Sequence, residues 1–236
     1  MIKILTIGNS FSQDVTALVE LLSPDIFVRN LYIGGCSLER HYKNIINDAE
    51  EYEYQQNGGS IDKNLISIKQ ALLKEKWDYI TVQQASCYSG LIESHYPYIS
   101  ELIKYIKKYS DAEIIFHEVW AYEKGYVRDE FEKYYDNDQQ KMQQMIKYCC
   151  DTVCEKEKIR AIRTGETIAK LREYDFFDID KNISISRDGF HLNLAYGRIA
   201  GACAFIKFFT GKMPEYLKRD DLAEGYKIIK KIIFES

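Results

Sequence analysis

An α/β protein built on a parallel sheet covered on both faces is the fold class that this sequence predicts, and three observations lead there. Short β-rich runs alternate with stretches of helical period, the order that parallel strands joined by helical crossovers require. The first of these strands ends abruptly on Gly8-Asn9-Ser10, turn chemistry with a helix starting just after it. The 236 residues, 46% of them hydrophobic, supply one good-sized core and too little for two independent enzymes, so residues 1–236 are expected to form a single domain.

Each element follows in order. From Met1 to Ile7 only Lys3 and Thr6 are polar, which predicts a buried strand over Lys3–Ile7 and a helix near Gln13–Leu22. A second strand is expected over Ile26–Ile33. The polar run Glu50–Gly59, "EEYEYQQNGG", reads as an exposed loop or frayed helix end. Helices near Ile61–Lys74, Tyr96–Tyr109 and Asp138–Lys156 then alternate with strands over Tyr79–Val82, Glu113–His117 and Arg160–Arg163, giving a mainly parallel five-stranded sheet. Ile179–Arg187 is irregular and polar. Asn193–Thr210 has apolar residues at helical spacing and stops at Gly211, a residue suited to a left-handed helix terminus, and an amphipathic helix from about Asp221 to Phe234 follows.

Composition excludes several function classes. Net charge is −4 with Lys and Arg scattered, so no basic stripe offers itself to a nucleic-acid backbone. The apolar N-terminal run is too short for a signal-peptide core, and the stretch from Ala200 to Phe209 is broken by Lys207, so no membrane partner is expected and the cytoplasm is the expected location. Of six cysteines, Cys149, Cys150 and Cys154 crowd one helix while Cys36, Cys87 and Cys203 are far apart; with no Cys-x-x-Cys pair, reduced and mostly buried thiols are expected. No His-x-x-x-His or similar spacing points to a metal site. Nothing in the chain bears on oligomeric state.

Ligands of open parallel sheets bind beyond the carboxyl ends of the strands, which is where Ser10 lies. Gly8 lets the backbone turn sharply there, and the helix that follows presents unpaired N–H groups to an anion or oxyanion. On these residues alone a helix cap from Asn9, Ser10 or Ser12 is the simpler reading. "RDGFHLN" near the C-terminus shifts the balance. An Asp188 carboxylate three residues before His191, on a turn leading into a helix, can accept from the imidazole Nδ1–H and leave Nε2 free to take a hydroxyl proton. The other histidines, His41, His95 and His117, lack a comparably placed acid in a loop, although His117-Glu118 follows a strand and is a secondary candidate for the same rim.

"TIGNSFS" and "DGFHLN" resemble the first and last signature blocks of the SGNH (GDSL-type) hydrolase superfamily, in the order Ser…Asp…His with two residues between the last pair. "NLYIGGCSLERH" (Asn30–His41) is similar to the glycine block after the second strand, and "DYITVQQASCYSG" (Asp78–Gly90) occupies the place of the third block. The four blocks span the chain and look closest to a largely uncharacterised bacterial branch. The resemblance implies a three-layer α/β/α, flavodoxin-like fold and a serine esterase acting by acyl transfer, with no metal or organic cofactor. Ser10 would be the nucleophile, His191 the base and Asp188 its partner, with the N–H groups of Ser10 and Gly35 as oxyanion donors. The superfamily's third donor is an asparagine in a Gly-x-Asn-Asp block, which this sequence lacks; Gln83-Gln84 stands there, and a glutamine amide can donate the same bond. Strand alternation sends one of the two toward the site, with Gln84 preferred and Gln83 the alternative. A second departure is Asn9, where many members carry aspartate.

Trp120 and Tyr122 follow the fourth strand at the expected rim, where they are candidates to stack on a sugar face, ordinary packing being the alternative. The resemblance implies a small-molecule or carbohydrate ester as substrate, with O-acetyl groups preferred by analogy with related members. Two rival readings stay open: a phosphate- or flavin-binding module at the Gly8–Ser12 loop, and a non-catalytic glycan-binding form of the same fold.

Overall fold

A computed structural model describes residues 1–235. In chain order the elements are β1 (Ile2–Gly8), α1 (Ser10–Thr16), α2 (Val19–Leu22), β2 (Ile26–Tyr32), α3 (Leu38–Asn47), β3 (Glu53–Gln56), β4 (Gly59–Ser60), α4 (Ile68–Lys74), β5 (Tyr79–Val82), α5 (Tyr98–Ile106), β6 (Glu113–His117), α6 (Asp129–Tyr135), α7 (Gln139–Glu157), β7 (Arg160–Ile162), α8 (Thr164–Arg172), α9 (Gly197–Thr210) and α10 (Glu224–Phe234). They form a mostly parallel seven-stranded sheet in the order β4-β3-β2-β1-β5-β6-β7, with helices on both faces. The strands β2, β1, β5, β6 and β7 are parallel throughout and are the five that the sequence predicts.

Side-chain alternation divides the core in two. Ile4, Val28, Ile115 and Ile162 face a layer built with residues of α1, α7, α8, α9 and α10. Leu5, Ile7, Leu31, Ile80 and Phe116 face the opposite way, toward α3, α4 and α5. Because both faces are covered, the central strands read as near-continuous apolar runs. Gly211 ends α9 with φ of 67°, in the left-handed conformation expected of it. The helix expected over Gln13–Leu22 is interrupted and becomes α1 and α2, while that expected from Ile61 begins only at Ile68, where Ser67 and Gln70 form a capping box.

The sheet has two strands more than expected. Glu50–Gly59 is not a loop or frayed helix end: β3 runs antiparallel to β2, with Leu31 opposite Tyr54, and β4 pairs back onto β3. The turn is Asn57-Gly58, both at positive φ (50° and 79°), as a two-residue hairpin requires. Polar composition hides the strand because its buried Gln55 is satisfied by a polar neighbour, its Oε1 accepting from Asn30 Nδ2 at 3.0 Å. Helix α3 is masked similarly, since its buried face mixes Leu38 and Ile45 with His41 and Asn44. Among the described residues no helix is long and apolar enough to cross a membrane.

Candidate active site

Strand β1 delivers Ser10 to the carboxyl edge of the sheet, beside β2 and β5. Gly8 is required there by close approach: a Cβ on it would lie 2.5 Å from Ser12 Oγ and 2.9 Å from Gln83 Cδ. The helix cap is Asn9, not Ser10. Asn9 Oδ1 accepts from Phe11 N–H at 3.0 Å and from Gln83 Nε2 at 2.7 Å, while its Nδ2 donates to Cys36 O at 3.0 Å. Ser12 turns inward, 2.8 Å from both Asn9 O and Asn30 Oδ1. The first turn of α1 is thus satisfied without the Ser10 hydroxyl, which lies 2.8 Å from His191 Nε2.

His191 sits on a loop folded tightly around Asp188. Asp188 Oδ1 accepts from His191 N–H at 2.8 Å and from Phe190 N–H at 3.3 Å, and Oδ2 lies 2.7 Å from His191 Nδ1. Gly189 makes the turn at φ of 88°, where a Cβ would strike the Tyr126 ring at 2.2 Å. Partial burial pushes the Asp188 carboxyl up, but the hydrogen bonds from the His191 ring and from the two N–H groups outweigh it and hold it below the usual carboxylate range. An ionised Asp188 can only accept, so Nδ1 carries the ring proton and Nε2 is left to accept from Ser10.

The other three histidines are held elsewhere. His117 is fully buried between Gln83 Oε1 (2.9 Å) and Thr164 Oγ1 (3.0 Å), and burial drives its pKa down to about 3. Burial does the same to His41, to about 3, and to His95, to about 4. Among the described residues only His191 meets a serine hydroxyl on one side and a carboxylate on the other.

What anchors the His191 loop is a residue that sequence reasoning missed. Asp14, fully buried one turn beyond Ser10 on α1, accepts from Leu192 N–H at 2.8 Å. It also accepts from Arg187 Nη1 (2.9 and 3.0 Å) and from Arg198 Nε (3.0 Å). The Arg187 guanidinium donates on to Leu192 O. One carboxylate therefore ties the histidine loop and the start of α9 to the helix that carries Ser10. Only the position of Asp14 on the turn after Ser10 hinted at this, because its partners lie 173 to 184 residues away.

A cavity of about 380 Å³ opens over Ser10 and His191, lined among others by Tyr32, Gly35, Ser86 and Arg128. Gly35, at φ of 62°, and Ser10 both present N–H groups without an acceptor among the described residues. Arg128 is held by Glu130, Nε to Oε2 at 2.7 Å, with its guanidinium 5.7 Å from the Phe190 ring centre. A larger surface depression near Glu50, Asp62 and Lys74 does not include Ser10 or His191 in its lining.

Four expected site residues are placed elsewhere. Gln84 is buried and fully engaged: its Nε2 donates to Ser94 O (2.8 Å) and Ser94 Oγ (3.0 Å), and its Oε1 accepts from Leu38 and Ala85 N–H. Gln83 is spent between Asn9 and His117. Neither amide is available to an oxyanion. Trp120 and Tyr122 are also fully buried and offer no face to a sugar. Trp120 stacks on Phe11 at 4.2 Å and donates its indole N–H to Phe190 O at 2.6 Å, so it supports the histidine loop from beneath. Tyr122 meets Ser86, its OH 2.9 Å from Ser86 Oγ.

The family described as "Domain of unknown function (DUF4886)" matches residues 3–221. A DUF4886 family protein from Bacteroides uniformis is 33% identical, with a TM-score of 0.87 over 99% of this chain and 93% of that one. A putative SGNH hydrolase from Slackia heliotrinireducens is 19% identical, with a TM-score of 0.58 over 87% and 97% of the two chains. The acetyl xylan esterase Axe2 from Geobacillus stearothermophilus, as a single-substitution variant, is 15% identical with a TM-score of 0.53 over 89% and 95%. No curated protein matches. The chain therefore belongs to the DUF4886 family and has the α/β/α fold of the SGNH hydrolases.

Proposed function

We propose that this protein is a serine esterase that cleaves a carboxylic ester, with residues 1–236 as one hydrolase domain. The observation that carries the reading is the continuous hydrogen-bonded chain Ser10–His191–Asp188 beside a cavity. Ser10 Oγ attacks the acyl carbonyl as His191 Nε2 takes its proton, and Asp188 balances the imidazolium. The oxyanion is held by the Ser10 and Gly35 N–H groups. His191 then protonates the departing alcohol, and water repeats the cycle on the acyl-enzyme to release the acid.

A short acyl group on a carbohydrate alcohol is the substrate we favour. The cavity is small, and acetyl xylan esterases are among the proteins that share the fold. A cytoplasmic site of action accords with six free thiols. The test is labelling by a fluorophosphonate probe: the expected result is a single covalent adduct mapped to Ser10, and an unmodified folded protein would overturn the assignment.

Two further outcomes are expected. Asp188→Asn should lower turnover by about 10⁴-fold, since an amide can hold the ring but favours the wrong tautomer and removes the counter-charge. An unchanged rate would remove Asp188 from the machinery. Turnover should also rise as pH is raised from acid, because the imidazole must be neutral to accept the Ser10 proton. The sign is set by the base: protonation at low pH removes it, whereas Asp188 is held below the usual carboxylate range. A flat profile would exclude His191 as base.

A further inference from the structure

With both glutamines engaged elsewhere, the third block of the site needs another donor, and hydrogen-bond accounting supplies one. Strand β5 ends at Val82 and the chain turns through Ala85 into a short 3₁₀ turn, Ser86–Tyr88, that brings Ser86 to the cavity wall shared with Ser10 and Gly35. The Ser86 hydroxyl has one partner among the described residues, the Tyr122 OH at 2.9 Å, and that phenol has no other.

Tyr122 is fully buried, boxed by the rings of Tyr126, Phe131 and Phe190. Burial also raises its pKa, the Ser86 hydrogen bond offsetting this only in part, so the phenol keeps its proton. If Ser86 donated to Tyr122, that phenolic hydrogen would be stranded in an apolar box without an acceptor, at the full cost of its desolvation. The phenol must therefore donate to Ser86 Oγ. The Ser86 hydrogen is then left without an acceptor among the described residues and is free to turn to the cavity, and accepting from a phenol makes it a stronger donor.

We propose that the Ser86 hydroxyl is the side-chain donor of the oxyanion hole and that Tyr122 is its positioning residue. This rests on the serine esterase reading and deepens it: the hole has two backbone N–H groups and one hydroxyl fixed from behind by a phenol.

The test uses the purified full chain with p-nitrophenyl acetate as substrate and an alkyl trifluoromethyl ketone as tetrahedral-adduct inhibitor, with folding checked by thermal melting. Ser86→Ala is expected to lower kcat by about 10²-fold with KM changed by less than about two-fold, and to weaken the inhibitor by a similar factor. Ser86→Thr, which keeps a hydroxyl, should recover most of the turnover. Tyr122→Phe should lower kcat by about ten-fold alone and have no further effect on the Ser86→Ala background, because it acts only through Ser86. If Ser86→Ala does not fold, Tyr122→Phe with its kcat and KM split carries the test. An active wild type whose folded Ser86→Ala variant keeps full kcat, or binds the ketone as tightly, overturns this inference and leaves the esterase standing. A wild type that neither hydrolyses esters nor labels at Ser10 overturns both.

Discussion

Ser10→Ala and His191→Ala are each expected to lower ester turnover by about 10⁴–10⁶-fold while leaving the fold in place. The Ser10 hydroxyl makes one hydrogen bond, to His191 Nε2, and takes no part in capping α1, so its loss costs the fold little. His191 is partly exposed, and in Ser10→Ala its Nε2 can turn to water instead of being stranded. Because the two residues act as one unit, the double variant should be no worse than the poorer single one. Steady-state hydrolysis together with melting curves checks all three; near-native turnover in either folded single variant would sink the assignment.

Asp14→Ala is expected to produce the largest loss of stability of any single change near the site, about 3–5 kcal/mol by urea unfolding. Asp14 is fully buried and receives two guanidinium groups and a backbone N–H, so its removal leaves two cations facing each other around a cavity. Arg187 and Arg198 are partly exposed and can regain some water, which places the effect toward the lower end of that range. Activity should fall too, because the Leu192 N–H tether that follows His191 is lost. Asp14→Asn keeps an acceptor for that N–H and should be milder. An alanine variant as stable as the parent would show that the cluster does not anchor the loop.

The parallel sheet and the Asp188–His191 pair were legible because each is written in local sequence, whereas Ser10 was joined to that pair by the family resemblance. Apolar strands that end in turn residues announce themselves, and Asp188 and His191 are three residues apart. What escaped depends on partners distant in the chain. Gln84 looked available because strand alternation was extended beyond Val82, where β5 in fact ends and alternation no longer governs which way a side chain points. Tyr54 in β3 and Tyr52 just before it are buried but disguised by charged and amide neighbours, and the Asn57-Gly58 turn signal beside them went unused. Trp120 and Tyr122 were placed correctly after β6 but read as candidates to stack on a sugar at the rim, since sequence gives position along the edge and not the depth to which a loop sinks.

Ser10 and His191 stand 181 residues apart, one just after the central strand and the other just before α9. A chain made from its N-terminus therefore displays Ser10 well before it acquires His191. Until the loop from Arg187 to Leu192 docks on Asp14, the Ser10 hydroxyl lacks its hydrogen bond to His191 Nε2. Under the proposed esterase mechanism, chains that stop short of residue 191 would carry Ser10 without its base, so reactivity at Ser10 would report that the histidine loop has docked.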